Sequence, residues 1–573
     1  MTAEPLRVVS DVLARFDTTF SDFAAAFYNG EYVLWLGSGI SREKVPDVSE
    51  LLERVIELLR SNRDTEDGAC AHRTALDEVI QLAGLTDDEL GSIDYAVKVT
   101  DWPLRNRIIS VLGSQYSKVL DVFVGDENAD DYLVWNGLDV PKTYGASGLQ
   151  PDVEHYCIAI LMYEGIVSSA VTANWDGLLE KALEDLTPVF DATVRVVVAP
   201  DDFRQLGRRI DVIKFHGCAV RAKADETVYR PLLIARESQI AAWTEQPQNQ
   251  SMRKHLEVLY TDHPTLMIGL SAQDANLQTV FARAIQDLAR PWPATTPAVV
   301  LSEEQLKSHH QNLLKLTYGP DHHGHATAIA KSALLGSYGE PTLLALVLSS
   351  LTQKLAFLLY YVLEPEWESD EIQRFREDLL GLRDEVANLA DVDRWAFLTR
   401  LIDTINLTLK IFRTGYASAG SRNRYEPLSD RPVTQAILSP DFPGQAFGWL
   451  GIALALVGRG QTSGHWTVSP GDIRTPWDGV LRLMTAQQDA KVFFVKDSAT
   501  LATLEVKTSI DDGDSDVFII VADEEPPRSA RSPRSRFGRD GKVRAGHFSI
   551  ATNLANTTSA DELYEAFKLA GGF

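Results

Sequence analysis

Asparagine, aspartate and histidine stand at places in this chain where apolar runs end. In "VTANWDGLLE" (171–180), Asn174 and Asp176 lie two apart, between a β-branched run and a helical pattern. In "VIKFHG" (212–217), His216 closes an apolar run and precedes a glycine. In "VLWLGSGIS" (33–41), a third run leads into Gly37, Ser38, Gly39, Ile40 and Ser41. An imidazole whose ordinary pKa is about 6.5 can accept a proton near neutrality. Asparagine both donates and accepts hydrogen bonds, which suits a hydroxyl or a water. A carboxylate stabilises positive charge that develops beside it. Glycines after a strand let backbone approach phosphate oxygens, and N–H groups at a following helix start can bind them. Each segment also has a plainer reading. GxG makes tight turns, Asn and Asp are common where a strand becomes a helix, and a histidine can be a satisfied core residue.

These residues need a scaffold that gathers strand ends. Residues 9–28 read as an amphipathic helix closed by Asn29 and Gly30, and "EYVLWLG" as a short buried strand. Residues 48–130 are mostly helical in pattern, and "VPDVSELLERV" opens with Pro46 and Asp47 before a helix that Ser49 could cap. From 155 the pattern is helix, strand, helix, with "IVSSAVTAN" as the strand. Further strands are predicted at "VRVVVA" (194–199), "DVIKFHG" (211–217), "TLMIGLS" (265–271) and "TPAVVLS" (296–302). Short β-branched runs alternating with helices predict an α/β fold with a Rossmann-like, mainly parallel sheet covered on both faces. Ligands in such folds bind at the carboxyl ends of the strands, where the polar residues above fall. The predicted organisation is a domain over 1–305 with a helical insertion at about 48–150, a helical region over 306–415, and a smaller α/β domain over 416–573. The last would use "KVFFVKD", "ATLEVKT" and "DVFIIVA" as strands, after a turn-rich linker or surface loops at 415–440.

The 573 residues exceed one ordinary core. A formal net charge of −25 argues against nonspecific nucleic-acid binding by the whole surface. Three scattered cysteines, Cys70, Cys157 and Cys218, fit a reducing compartment and form no CxxC pair. The first twenty residues carry early acids and no sustained apolar run, so no secretory signal is expected. The apolar run 342–363 has Gln353 and Lys354 at its middle, which predicts a buried helix and no membrane span. The expected location is the cytoplasm. His309, His310, His322, His323 and His325 crowd a stretch that reads as a solvated loop without a metal-site pattern. "GRGQTSG" (458–464) lacks the lysine of a phosphate loop and also reads as a loop. The run 528–544 has seven basic residues and one acid, and is either a surface loop or a contact for nucleic acid or an acidic protein.

Taken in order, "GSGIS", "TANWD", "KFHG" and "GLSAQD" resemble the motifs of the sirtuin (SIR2) domain over about residues 20–305. In that family the glycine-rich loop holds the NAD pyrophosphate and the T-x-N-x-D residues line the nicotinamide-ribose pocket. The histidine of the His-Gly pair is catalytic, and a later glycine-serine turn contacts the adenosine half. The resemblance implies Asn174, His216 and Asp176 as catalytic residues. It implies Gly37, Ser38, Gly39, Ile40, Ser41, Asp47, Thr172, Gly269, Ser271 and Asp274 as NAD-binding ones. Two departures matter. Three cysteines cannot form the four-cysteine zinc module of the deacylating members, so no metal is expected, and "VPDVS" lacks the arginine of the family's "IPDFR"-like run. Asp274 after "GLS" is similar to divergent SIR2-like proteins of bacterial antiphage defence, which hydrolyse NAD outright. The resemblance therefore implies an NAD+ glycohydrolase with NAD+ as substrate, releasing nicotinamide and ADP-ribose or its cyclic form. The alternatives are an NAD-dependent protein deacylase and a noncatalytic NAD or ADP-ribose sensor. The retention of Asn174 together with His216 weighs against the sensor. The resemblance also implies control by homo-oligomerisation, a HerA-type ATPase or an Argonaute acting through 306–573, with 528–544 a candidate contact.

Overall fold

Six short apolar runs become six parallel strands: β1 (Val33–Leu36), β2 (Ser169–Thr172), β3 (Val194–Val197), β4 (Ile210–Lys214), β5 (Thr265–Ile268) and β6 (Val299–Ser302). The computed structural model describes residues 6–573 except 65, 68, 126, 128, 272–273, 289, 365, 418–423, 473–474, 476–477, 509–515 and 525–545. The basic run 528–544 thus lies outside the described residues. The strand order is β3-β4-β2-β1-β5-β6, with every neighbouring pair parallel. Leu36 is level with Thr172 and Ile268, and Thr172 with Lys214, so β4, β2, β1 and β5 end side by side.

Alternate strand residues face two cores, which is why the runs read as continuously apolar. Leu34, Leu36, Ala170, Val212, Leu266 and Ile268 point one way. Val33, Trp35, Val171, Ile213 and Met267 point the other. The first core is closed by helices Val9–Phe16, Ser21–Tyr28 and Val153–Tyr163. The expected single helix over 9–28 is interrupted, because the carbonyl of Arg15 accepts from both Thr18 N and Phe20 N (3.1 and 2.8 Å) at the weakly helix-forming Thr18–Thr19 pair. The second core takes in helices Gln250–Asp262, Ala275–Asp287, Ser308–Tyr318 and Pro320–Ala333, and so runs past residue 305. The histidine-rich stretch is therefore helical and not a loop, since Leu313, Leu314, Ile329 and Ala333 on its inner face are buried there, as is His310. The insertion after β1 has its own core around Leu52, Val55, Leu76, Val79 and Leu112, and rests on Trp175 in the loop after β2 and Ala219 at the start of the helix Ala219–Ala224.

The apolar helix Gly339–Leu363 joins the two halves. Leu343, Leu344, Leu346 and Val347 enter the first core, whereas Leu358, Leu359 and Leu363 enter a second, C-terminal one. It is the one helix among the described residues long and apolar enough to cross a membrane by length and composition, and 78% of its apolar window is buried inside the fold. Lys354 at its middle is fully buried and donates to the Glu164 carboxylate (2.7 Å), the Glu164 carbonyl (2.5 Å) and the Ser429 carbonyl (2.9 Å).

The C-terminal half carries a second sheet in the order β11-β10-β9-β8-β7, made of β7 (Thr467–Pro470), β8 (Leu481–Met484), β9 (Asp489–Val495), β10 (Val517–Val521) and β11 (Gly546–Ser549). Three corrections to the sequence reading arise here. "ATLEVKT" is helical, within Ser498–Thr508. Asp497 accepts from Thr500 N (2.9 Å) at its start, Leu501 and Leu504 share the buried face, and Val506, which a strand would bury with Leu504, is 78% exposed. Most of "GRGQTSG" closes the helix Gly444–Thr462, where a Cβ on Gly458 would come within 2.4 Å of the Asp378 carbonyl, so glycine serves close helix packing. Finally, 415–440 is no surface linker over its described residues. Tyr425, Leu428, Ser429 and Val433 are buried, and the Glu164 carboxylate accepts from Tyr425 Oη (2.6 Å) and Leu428 N (3.0 Å).

Lys354→Met leaves the Glu164 carboxylate buried without its ammonium. The expected cost is about 3–5 kcal/mol, read as a lower urea unfolding midpoint. An unchanged midpoint contradicts this role for the pair.

Candidate functional site

The loops leaving β4, β2, β1 and β5 are tied into a closed circuit. The β1 and β5 loops meet at a glycine seam. A Cβ on Gly37 would lie 2.2 Å from the Gly269 carbonyl oxygen, and one on Gly39 would lie 2.5 Å from Gly269 Cα. Gly269 itself has φ +61°, the left-handed region that glycine enters freely. Gly37 N donates to Ile268 O (3.0 Å), Gly39 N to Gly269 O (3.1 Å) and Ile40 N to Gly37 O (3.3 Å). The glycines thus have a structural role besides the one the resemblance implies. Here they come close to neighbouring backbone, and these three N–H groups are committed within the protein. Ser38–Ser41 forms a single turn of 3-10 helix, with Ile40 and Ser41 buried and Ser38 exposed.

The β2 loop joins the circuit through Asn174. Its Nδ2 donates to Gly37 O (3.1 Å) and, at longer range, to Ser41 Oγ (3.4 Å), while its backbone N–H donates to Thr172 Oγ1 (3.0 Å). With both amide protons taken, the polar atom Asn174 has left is Oδ1, an acceptor. Asp176 is buried, and its Oδ1 accepts from Leu178 N (3.2 Å) at the start of the helix Leu178–Leu186. Trp175 Nε1 donates to the His216 carbonyl (2.8 Å), and Trp175 O accepts from Ala219 N (2.9 Å), which binds the β2 loop to the β4 loop. Lys214, the last residue of β4, donates to the Asp176 carbonyl and to Glu180 Oε1 (2.7 Å). Burial alone would push the Lys214 ammonium down. The neighbouring Cys218, Glu180 and Asp176 outweigh that and hold it above its ordinary value.

The last link runs from the β4 loop to the β5 loop. His216 is buried, with Nε2 3.2 Å from Asn276 Nδ2 and 3.5 Å from Asp274 Oδ2. Asp274 also caps the helix Ala275–Asp287, its Oδ1 accepting from Asn276 N (2.8 Å) and Leu277 N (3.3 Å). Burial pushes the His216 imidazole below its ordinary value, and the Asp274 carboxylate pulls the other way. The net result is a ring that is neutral at neutral pH and able to accept a proton.

The structure thus gathers Gly37, Gly39, Ser41, Thr172, Asn174, Asp176, His216, Gly269 and Asp274. Asp47 makes none of the circuit's bonds. It is the N-cap of the helix Val48–Ser61, accepting from Glu50 N (2.9 Å), the role expected of Ser49. Ser271 is exposed at the edge. Four residues bonded to this group escaped the sequence reading: His155, whose Nε2 meets Ser41 Oγ at 3.2 Å, together with Trp175, Lys214 and Asn276. "TANWD" and "GLSAQDANL" contained two of them, and Asp152-x-x-His155 ahead of an apolar run was a visible helix-start signal.

Residues 168–321 match the family model described as SIR2-like domain. That segment begins just before β2 and takes in Asn174, Asp176, His216, Gly269, Ser271 and Asp274, but not the glycine loop 37–41. This part of the chain has a SIR2-like fold, and the match points to NAD-related activity in general. No curated protein matches the chain. Among the described residues, no group of three or more His, Cys, Asp or Glu side chains is arranged to hold a metal ion.

The seam makes a prediction that needs no ligand. Gly37→Ala is expected to destabilise the protein by about 1–3 kcal/mol through overpacking, seen as a lower thermal midpoint in nucleotide-free buffer. A variant as stable as the parent would return the glycine to a role in ligand approach alone.

Proposed function

We propose that the chain cleaves the bond between nicotinamide and ribose in NAD+, giving nicotinamide together with ADP-ribose where water attacks the ribose carbon, or its cyclic form where the substrate's own adenine does. The observation that carries this reading is the closed circuit, which sets Asn174, Asp176 and a neutral, buried His216 at the ends of adjacent strands in a SIR2-like segment. Nicotinamide is cationic in NAD+ and leaves neutral, so the leaving group needs no acid. The tasks left are to stabilise positive charge arising on the ribose and to place and deprotonate a nucleophile. Asp176 answers the first. For the second, Asn174 Oδ1 accepts from a ribose hydroxyl or a water, and His216 takes the proton. Deacylation of a peptide is disfavoured by a chain with only three cysteines, which cannot build the four-cysteine zinc module. The defence setting belongs to the same proposal, as does control by self-assembly, a HerA-type ATPase or an Argonaute. Both rest on the sequence resemblance.

Chromatography of products from the full-length protein and NAD+, with and without an acylated peptide, tests the reaction. Nicotinamide release without peptide is expected, and release that strictly requires the peptide refutes it. His216→Ala and Asn174→Ala are each expected to lower turnover by about 10²–10⁴-fold, measured at a temperature at which both variants remain folded.

A pH profile tests His216 as the base. Activity should fall as pH drops through a histidine pKa that lies below the ordinary range. Asp274 raises that pKa, so Asp274→Asn, which keeps a good N-cap, should lower it and move the acid limb to lower pH. A limb that moves upward, or stays in place, would exclude His216 as the titrating base.

A further inference from the structure

The side chain of His155 is fully buried and reaches a site residue 114 positions away in sequence. It lies in the first turn of the helix Val153–Tyr163, with Nδ1 3.2 Å from the backbone N–H of Asp152. A backbone N–H only donates, so Nδ1 is the acceptor and the single proton of the neutral ring sits on Nε2. Burial pushes this imidazole down to about 4, so the ring is neutral near pH 7. Its Nε2–H donates to Ser41 Oγ at 3.2 Å. Asn174 Nδ2 approaches the same oxygen at 3.4 Å and gives its other proton to the Gly37 carbonyl.

The arithmetic of donors then fixes two polarities. Ser41 Oγ has two lone pairs and two incoming donors, so its own proton has to leave in the remaining direction. Asn174 has two amide protons, both committed, so its Oδ1 is left to accept. Side by side, the site offers one O–H donor and one C=O acceptor. That pair matches the vicinal hydroxyls of a ribose, one accepting and one donating. Helix capping does not account for the arrangement, because it needs only Nδ1, and Asp152 already accepts from Val153 N with its own carboxylate (2.9 Å). Asp152 in turn pairs with Lys44 (2.9 Å), which anchors the start of this helix to the segment after Ser41.

We propose that His155 is a positioning residue that, through Ser41, fixes the hydrogen-bond polarity with which Ser41 and Asn174 meet a ribose diol. The ligand part of this inference rests on the reading of the site as one for NAD+, whereas the positioning itself does not. His155→Phe keeps the ring volume and removes both hydrogen bonds. His155→Gln restores a donor near the Nε2 position. A crystal structure of full-length His155→Phe is expected to show the Ser41 hydroxyl and the Asn174 carboxamide turned from their positions in the unsubstituted protein. Unchanged positions overturn the proposal. In nicotinamide-release assays the phenylalanine variant should lose about 10–10²-fold in kcat, as for misplaced reacting groups, with a smaller change in KM. The glutamine variant should recover most of that loss. Equal losses in both variants at equal thermal midpoints would also overturn it. Should His155→Phe not fold, Ser41→Ala leaves the helix start intact, and the same turn of Asn174 and fall in kcat are expected of it. If the parent protein releases no nicotinamide from NAD+ at all, the proposed function fails, while the crystallographic comparison still decides the role of His155.

Discussion

An ammonium with no solvent contact governs how the two halves of this protein meet. Burying a charge carries a penalty of several kcal/mol unless every proton finds a partner. Lys354 has three protons and three acceptors: both oxygen types of Glu164 and the carbonyl of Ser429. Burial pushes the lysine below its ordinary value and the Glu164 carboxylate opposes this. An apolar side chain at 354 would tolerate several registers of the helix Gly339–Leu363 between its two cores. An ammonium that needs three acceptors tolerates one. The same carboxylate gathers Tyr425 and Leu428, so the long helix, the helix ending at Tyr163 and the 425–429 segment are all set by one buried pair. The helix Val153–Tyr163 is thereby held at both ends, by Glu164 just past its last turn and by His155 in its first.

The site depends on that frame through short-range geometry. Four strands end level, so their loops start at the same height and compete for the same space. Glycine at 37, 39 and 269 lets the β1 and β5 loops pass backbone against backbone. Trp175 and Lys214 then fix the β2 loop to β4, and Asp274 with Asn276 fix His216 to β5. Because the circuit closes, displacing any one loop strains the others, which is the preorganisation that catalysis by positioning requires.

What the sequence revealed follows from how local each signal is. Strands buried on both faces read as short apolar runs, and β1, β2, β4, β5 and β6 were legible for that reason. "ATLEVKT" misled because its β-branched residues outweigh, in a short window, a capping aspartate one turn upstream. The stretch 425–433 misled because polar and turn-forming residues look solvated until partners far away in sequence bury them. For 425–429 those partners are at 164 and 354. In the histidine run His323 and His325 are exposed as expected, and what misled there was the loop, which is helical. The motif residues Asn174, Asp176 and His216 could be named from resemblance. His155 could not, since nothing near it in sequence announces an appointment with Ser41.

Charge placement bears on what kind of binding this site can provide. In the proposed reaction positive charge is not created but moves, from the nicotinamide ring to the ribose. A fixed carboxylate contributes to rate only as far as that movement brings charge toward it. Both carboxylates sit at helix starts. Asp274 faces His216 and caps a helix, whose positive end offsets part of its charge. Asp176 accepts from Leu178 N at the start of another helix and lies near the Lys214 ammonium, so part of its charge is offset as well. The diphosphate of the same substrate gains little from such surroundings, and a chain with net charge −25 does not steer an anion toward itself. Nor can the glycine loop supply a full set of N–H donors, because Gly37, Gly39 and Ile40 have committed theirs. Under the proposed reaction, carboxylates beside the ribose favour the charge that develops there over the ground state of the intact dinucleotide.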